Sequence, residues 1–120
     1  VLSGLDEVPE EARIDWSVAR AAAVNDEELL REMVEAFLSI WEEVADRLTE
    51  CLKQSDIAGA TRAAHSLKSN MRTFGVRITQ TMQQIEYASK AGLTEPMIPV
   101  WRETRPMVEC VARQMRHWLG

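Results

Sequence analysis

The sequence predicts an all-α fold, an up-down-up-down antiparallel four-helix bundle with a short additional N-terminal helix. Three observations lead there. Four long segments carry apolar residues at helical spacing, Asp, Asn and Gly punctuate the gaps, and no stretch of useful length alternates like a strand. With 120 residues, 46% of them hydrophobic, and only 5 Gly and 4 Pro, the chain suffices for one core and is not of disordered type.

Residues 1–13 are acidic and contain Gly and Pro, so they are expected to be a linker or tail, with the bundle spanning 14–120. Asp15 is a natural N-cap for a short helix to about Ala23, and Asn25-Asp26 breaks and restarts the chain. From Glu27 to Lys53, the residues Leu30, Val34, Phe37, Trp41, Val44 and Leu48 follow one another at spacings of 4, 3, 4, 3 and 4, a bundle stripe on a long helix. Ser55-Asp56 caps the next helix, which Gly75 ends or re-aims. A fourth segment, Val76 to about Ala91, turns Ile78, Met82 and Ile85 inward and stops at Gly92. Thr94, Glu95 and Pro96 open the last helix, whose inward stripe is Met97, Trp101, Val108, Val111, Met115 and Trp118. Pro99 falls in its first turn. Pro106 removes the N–H that would meet the Arg102 carbonyl, so a kink is expected there.

The segment Asp56–Phe74 carries the most informative residue. Set at about 100° per residue, Arg62, Lys68, Ser69 and Arg72 fall within about 60° of His65, while Ala60, Ala63, Leu67, Met71 and Phe74 gather opposite. His65 is therefore expected to face solvent among three cations, on a chain of net charge −5. Such an imidazole is placed to meet an anion.

His65, Leu67, Lys68 and Gly75 reproduce the pattern H-x-L-K-x6-G, and in this the chain resembles the histidine phosphotransfer (HPt) domains of two-component phosphorelays. The resemblance extends over 14–119. Ile14-Asp15-Trp16 is similar to the family's short first helix, Asp26 with Leu29, Leu30 and Phe37 to its first long helix, and Asp56 to the start of the histidine helix. Ile85-Glu86 and Gly92 sit where the family closes the next one.

The resemblance implies that His65 accepts a phosphoryl group from the phosphoaspartate of a response-regulator receiver domain and passes it to another receiver. A neutral imidazole nitrogen is a nucleophile near pH 7, and attack on an acyl phosphate gives phosphohistidine. Lys68, one turn on, is expected to stabilise the phosphate. Ser69 stands where the family usually has glycine, and a small residue there lets a receiver approach. Arg62 and Arg72 are candidates for steering an acidic receiver, Gly75 is structural, and Trp16, Val18 and Leu29 are candidates for an apolar docking patch.

Other chemistries are set aside. A pI near 5.1 argues against nucleic acid as the main ligand. There is no nucleotide-binding signature, so the chain is not expected to phosphorylate itself from ATP. No cofactor is expected; the Mg²⁺ the reaction needs would sit on the partner receiver. Cys51 and Cys110 read as reduced thiols. His117, seven residues from Cys110, finds no third ligand and offsets the helix dipole at a helix end, so no metal site is expected. There is no apolar run of about 20 residues and no signal-peptide pattern around Asp6, Glu7, Glu10 and Glu11, so a cytoplasmic address is expected, with no membrane contact. A monomer is expected, since the His65 face must stay open. Upstream stands a sensor or hybrid histidine kinase. Two alternatives are carried: a helical adaptor that binds receivers without being phosphorylated, and the phosphoacceptor domain of a chemotaxis-type kinase.

Overall fold

The computed structural model describes residues 8–120. A 3-10 turn, Glu10–Ala12, precedes five α-helices: α1 (Trp16–Ala22), α2 (Glu27–Lys53), α3 (Ile57–Arg72), α4 (Thr79–Lys90) and α5 (Met97–Leu119). The described residues contain no strand. The long helices close a ring of contacts, with α2 against α3 and α5, and α4 against the same two; α1 leans on α2.

Aspartates start three of the helices as N-caps. Asp15 accepts from the backbone N–H of Ser17 and Val18, Asp26 from Glu28 and Leu29, and Asp56 from Gly59. Where α2 ends, the Asp56 N–H donates to the Cys51 carbonyl while Ser55 takes a positive φ of 55°. That closure turns the chain straight into α3. At Gly59 a Cβ would lie 2.5 Å from both Cys51 Sγ and Asp56 Oδ2, so any side chain there displaces the thiol and the capping carboxylate.

All six members of the α2 stripe are buried, facing Ala60, Ala63, Leu67 and Met71 of α3. Each large side chain so buried contributes about 1.5–3 kcal/mol. The alanines of α3 have little to bury individually, but they let its neighbours approach closely. That leaves α3 held along two flanks, by α2 and by α4.

Several expectations need correction. Residues 8–13 are not a tail: Val8 and Ala12 are buried. Gln114 Nε2 donates to the Ala12 carbonyl at 2.7 Å, the Ile14 N–H donates to Gln114 Oε1 at 3.0 Å, and the Ile78 N–H donates to the Glu11 carbonyl at 3.0 Å. Asp6 and Glu7 lie outside the described residues. The fourth segment becomes helical at Thr79, not Val76, because Gly75 at φ 65° and the turn after it use three residues to reverse the chain. Trp118 is half-buried, stacked on Trp16 with ring centroids 5.2 Å apart, while Trp16 also meets Phe74 edge-on at 6.3 Å. Trp16 is thus mostly committed to packing rather than presented for docking. The last helix is continuous through Pro106, which leaves the Arg102 carbonyl without its helical N–H donor.

Cys51 and Cys110 are both free. Burial, with Asp56 beside it, pushes the Cys51 thiol above its ordinary range.

Candidate functional site

His65 sits on the outer side of α3, its side chain 59% exposed. Across the groove, α4 presents Glu86, which reaches two α3 side chains at once. Its Oε2 lies 3.1 Å from His65 Nδ1, and its Oε1 lies 2.8 Å from Lys68 Nζ. The second contact is a buried ion pair. On the other side of the ring, Ser69 Oγ stands 3.4 Å from Nε2. One imidazole is therefore addressed at both nitrogens by neighbours of different chemistry.

Lys68 is where the sequence reading fails. It was expected beside His65 in solvent, yet it is buried, at 6% exposure, under α4 and 5.6 Å from the Tyr87 ring centre. Its ammonium is paired with Glu86 and does not add a loose cation near the ring. Arg62 and Arg72 are exposed as expected, and neither forms an ion pair among the described residues. The expected triple of cations around His65 is instead one buried ion pair and two solvated arginines. Ser69 is exposed on the same face.

Glu86 decides what the ring can do. Burial alone would raise its carboxyl, but the contacts from Lys68 and His65 outweigh that and hold it below its ordinary value. A charged carboxylate only accepts hydrogen bonds, so Nδ1 carries the proton it accepts. The lone pair is then left on Nε2, the nitrogen turned away from α4. An exposed imidazole with a fixed tautomer is a nucleophile at Nε2, whose lone pair meets the Ser69 hydroxyl 3.4 Å away. The carboxylate also offsets the positive charge that the ring acquires once Nε2 is substituted.

Gly75 closes the far end of α3. At φ 65°, a Cβ would meet Asp15 Cβ at 2.9 Å and Val18 Cβ at 3.1 Å, so glycine admits both the turn and the close approach of α1. The Asp15 N–H donating to the Phe74 carbonyl at 2.9 Å ties the same corner.

A second feature was read in the sequence only at Leu29. Leu29, Met33, Ala36 and Ile40 form an outer apolar stripe on α2, beside the buried one; Leu29 and Ile40 are exposed at 37% and 39%. Met33 and Ala36 border a hollow of about 230 Å³ that Ser69 also lines. The spacings of 4, 3 and 4 were visible, but the neighbouring core stripe masked them. Val18, at 41% exposure, is presented on α1 beside Gly75; His117 lies exposed in the last turn of α5.

No group of three or more His, Cys, Asp or Glu is gathered for a metal among the described residues, and none of the described helices is long and apolar enough to cross a membrane. Comparison with curated proteins gives no match, and neither does comparison with solved structures. The family model of the Hpt domain matches residues 32–113, a span that contains His65, Lys68, Ser69, Gly75 and Glu86. The chain belongs to the Hpt domain family, the phosphocarrier modules of histidine phosphotransfer in phosphorelays.

Proposed function

We propose that this Hpt chain accepts a phosphoryl group on His65 Nε2 from the phosphoaspartate of a receiver domain and returns it to the aspartate of another. The observation that carries this is the anchored, outward ring: Glu86 accepts from Nδ1 at 3.1 Å while the side chain stays 59% exposed. The Nε2 lone pair forms the N–P bond as the acyl O–P bond breaks, and the aspartate carboxylate leaves with the electron pair. No proton has to move. The ring becomes an imidazolium beside Glu86, and reversal regenerates the neutral ring, so transfer runs in both directions.

Lys68 acts as a positioning residue. It keeps Glu86 charged and close to the ring, which replaces the direct phosphate contact expected from the sequence. The four long helices run up-down-up-down and antiparallel, a reading supported by the short turns between them and their closed ring of contacts, with α1 as the short extra helix. The receiver covers the face around His65. There the α2 stripe from Leu29 to Ile40 supplies apolar area, Ser69 a small side chain, and Arg62 and Arg72 attraction for an acidic partner. The divalent cation belongs to the receiver's carboxylates, a sensor or hybrid histidine kinase supplies the group upstream, and the domain works as a cytoplasmic monomer.

The test is transfer from a panel of receivers carrying labelled phosphate, in Mg²⁺, to the wild type and to His65→Gln. Acid-labile, base-stable label on the wild type alone is the expected result. Receiver binding without any label on the wild type would establish the adaptor instead.

A further inference from the structure

We infer that the Ser69 hydroxyl is a phosphoryl-holding group, which donates to the Nε2 lone pair in the resting ring and to a phosphoryl oxygen once His65 is phosphorylated. The inference rests on the phosphotransfer reading of His65 and assigns to Ser69 a chemistry beyond that of a small interface residue.

The argument begins with the ring. Glu86 engages Nδ1, so Nε2 is the nitrogen that accepts. Among the described residues, Ser69 Oγ, at 3.4 Å, is the one side-chain partner of Nε2. It comes from the next turn of the same helix, while Glu86 on α4 holds the ring that it faces. A hydroxyl hydrogen is free to rotate, and with Nε2 unprotonated it donates to the lone pair. The contact is long for an O–H donor, so it costs little to break when a phosphorus atom arrives.

After transfer the lone pair has become the N–P bond. The hydroxyl then has an oxygen of a dianionic phosphoryl group two bonds beyond the atom it addressed before. Rotation of the Ser69 side chain about Cα–Cβ clears the oxygen from the incoming phosphorus, and rotation about Cβ–Oγ re-aims its hydrogen, with no covalent change. A hydrogen bond to an ionised acceptor is stronger than one to a neutral nitrogen. The hydroxyl therefore favours the phosphorylated state over the resting one and slows loss of the group to water. Lys68, the cation first expected to do this, is turned elsewhere: it is buried against Glu86 at 2.8 Å. Among the described residues, Arg62 and Arg72 are exposed on this helix without contacting the ring, and Ser69 Oγ is the polar side-chain atom at Nε2.

The experiment uses the whole chain phosphorylated by phosphoramidate, a small donor that needs no receiver, and follows the phosphohistidine by ³¹P NMR. Wild type, Ser69→Ala, Ser69→Gly and Ser69→Thr are compared, with His65→Gln as the blank. The expected result is a phosphohistidine lifetime shortened about tenfold in both Ala and Gly, the size of one charge-assisted hydrogen bond. It is restored in Thr, with thermal melting close to wild type in Ala and Thr and lowered in Gly only as far as a glycine inside a helix requires. Equal lifetimes in wild type and Ala would overturn the proposal and leave Ser69 as a matter of size alone. Signal at Nδ1, or signal surviving in His65→Gln, would overturn the phosphotransfer reading itself and this inference with it.

Discussion

Two polar clusters bridge helices on opposite sides of the ring, and they are built to different ends. Between α3 and α4, Glu86 joins Lys68 and His65. Between α2 and α5, Arg105 Nη2 meets Asp46 Oδ1 at 2.6 Å, and Trp101 Nε1 donates to Thr49 Oγ1 at 2.9 Å. The Arg105–Asp46 contact is the shorter of the two ion pairs, yet it is the weaker. Its side chains are 30% and 66% exposed, against 7% and 12% for Lys68 and Glu86, so water screens the first and largely leaves the second alone. The α2–α5 cluster satisfies its own members and presents no nucleophile. In the α3–α4 cluster, a buried pair fixes one edge of an imidazole whose other edge is open. Distance does not separate structural from functional polarity here; burial and the unused lone pair do.

The largest expected effect comes from breaking the buried side. Glu86→Ala strands the Lys68 ammonium under α4 and frees the ring. Loss of one partner of a buried pair costs roughly 3 kcal/mol, readable as a lower urea midpoint. Phosphoryl acceptance should fall about tenfold or more as tautomer and orientation are lost. Glu86→Gln keeps the shape and should recover part of the stability, without recovering the rate. Unchanged transfer in both variants would show that the carboxylate only packs.

Acid separates the clusters by the same logic. The Glu86 carboxyl lies below its ordinary value, so its stabilisation is present above the usual carboxylate range and is lost as the pH falls through and below about 4. Below that pH, Lys68 is left buried without a counter-charge. Urea midpoints of the wild type should therefore drop more steeply between roughly pH 6 and 3 than those of Glu86→Gln, whose curve lacks this titration. Parallel curves would contradict the assignment.

The contrast also explains what the sequence could and could not reveal. The core stripe of α2 and the Asp caps are local, periodic signals, and all six stripe residues are buried as spaced. The pairing of Lys68 with Glu86 is a tertiary fact. A helical wheel divides α3 into an inner and an outer half, but α3 is covered on two flanks, and Lys68 lies on the flank under α4. A trace of it was present, since Glu86 follows Met82 by four residues and Ile85 by one, at the margin of a buried stripe where a lone carboxylate needs a partner. His65 was legible from its motif, and its orienting group was not. Residues 8–13 misled for another reason: Pro9, Glu10 and Glu11 look like tail composition, while the contacts that hold the segment come from Ile78 and from Gln114, some 100 residues away.

The smallest effects should come from the α2–α5 cluster, and they test the comparison from its other side. Trp101 is buried, at 3% exposure, so Trp101→Phe loses one hydrogen bond and some packing, about 1–2 kcal/mol. Asp46→Ala removes the partner of a guanidinium that water still reaches, and Thr49 Oγ1 remains 3.4 Å from Arg105 Nη1. Its cost should be under about 1 kcal/mol and should shrink further in salt. Neither change reaches His65, because α2 and α5 form the opposite side of the ring from α3 and α4. Both variants should thus transfer phosphoryl at the wild-type rate while differing in melting temperature. A rate loss in Asp46→Ala without a matching loss of stability would mean that the two sides of the bundle are coupled, and that the separation argued from burial is wrong.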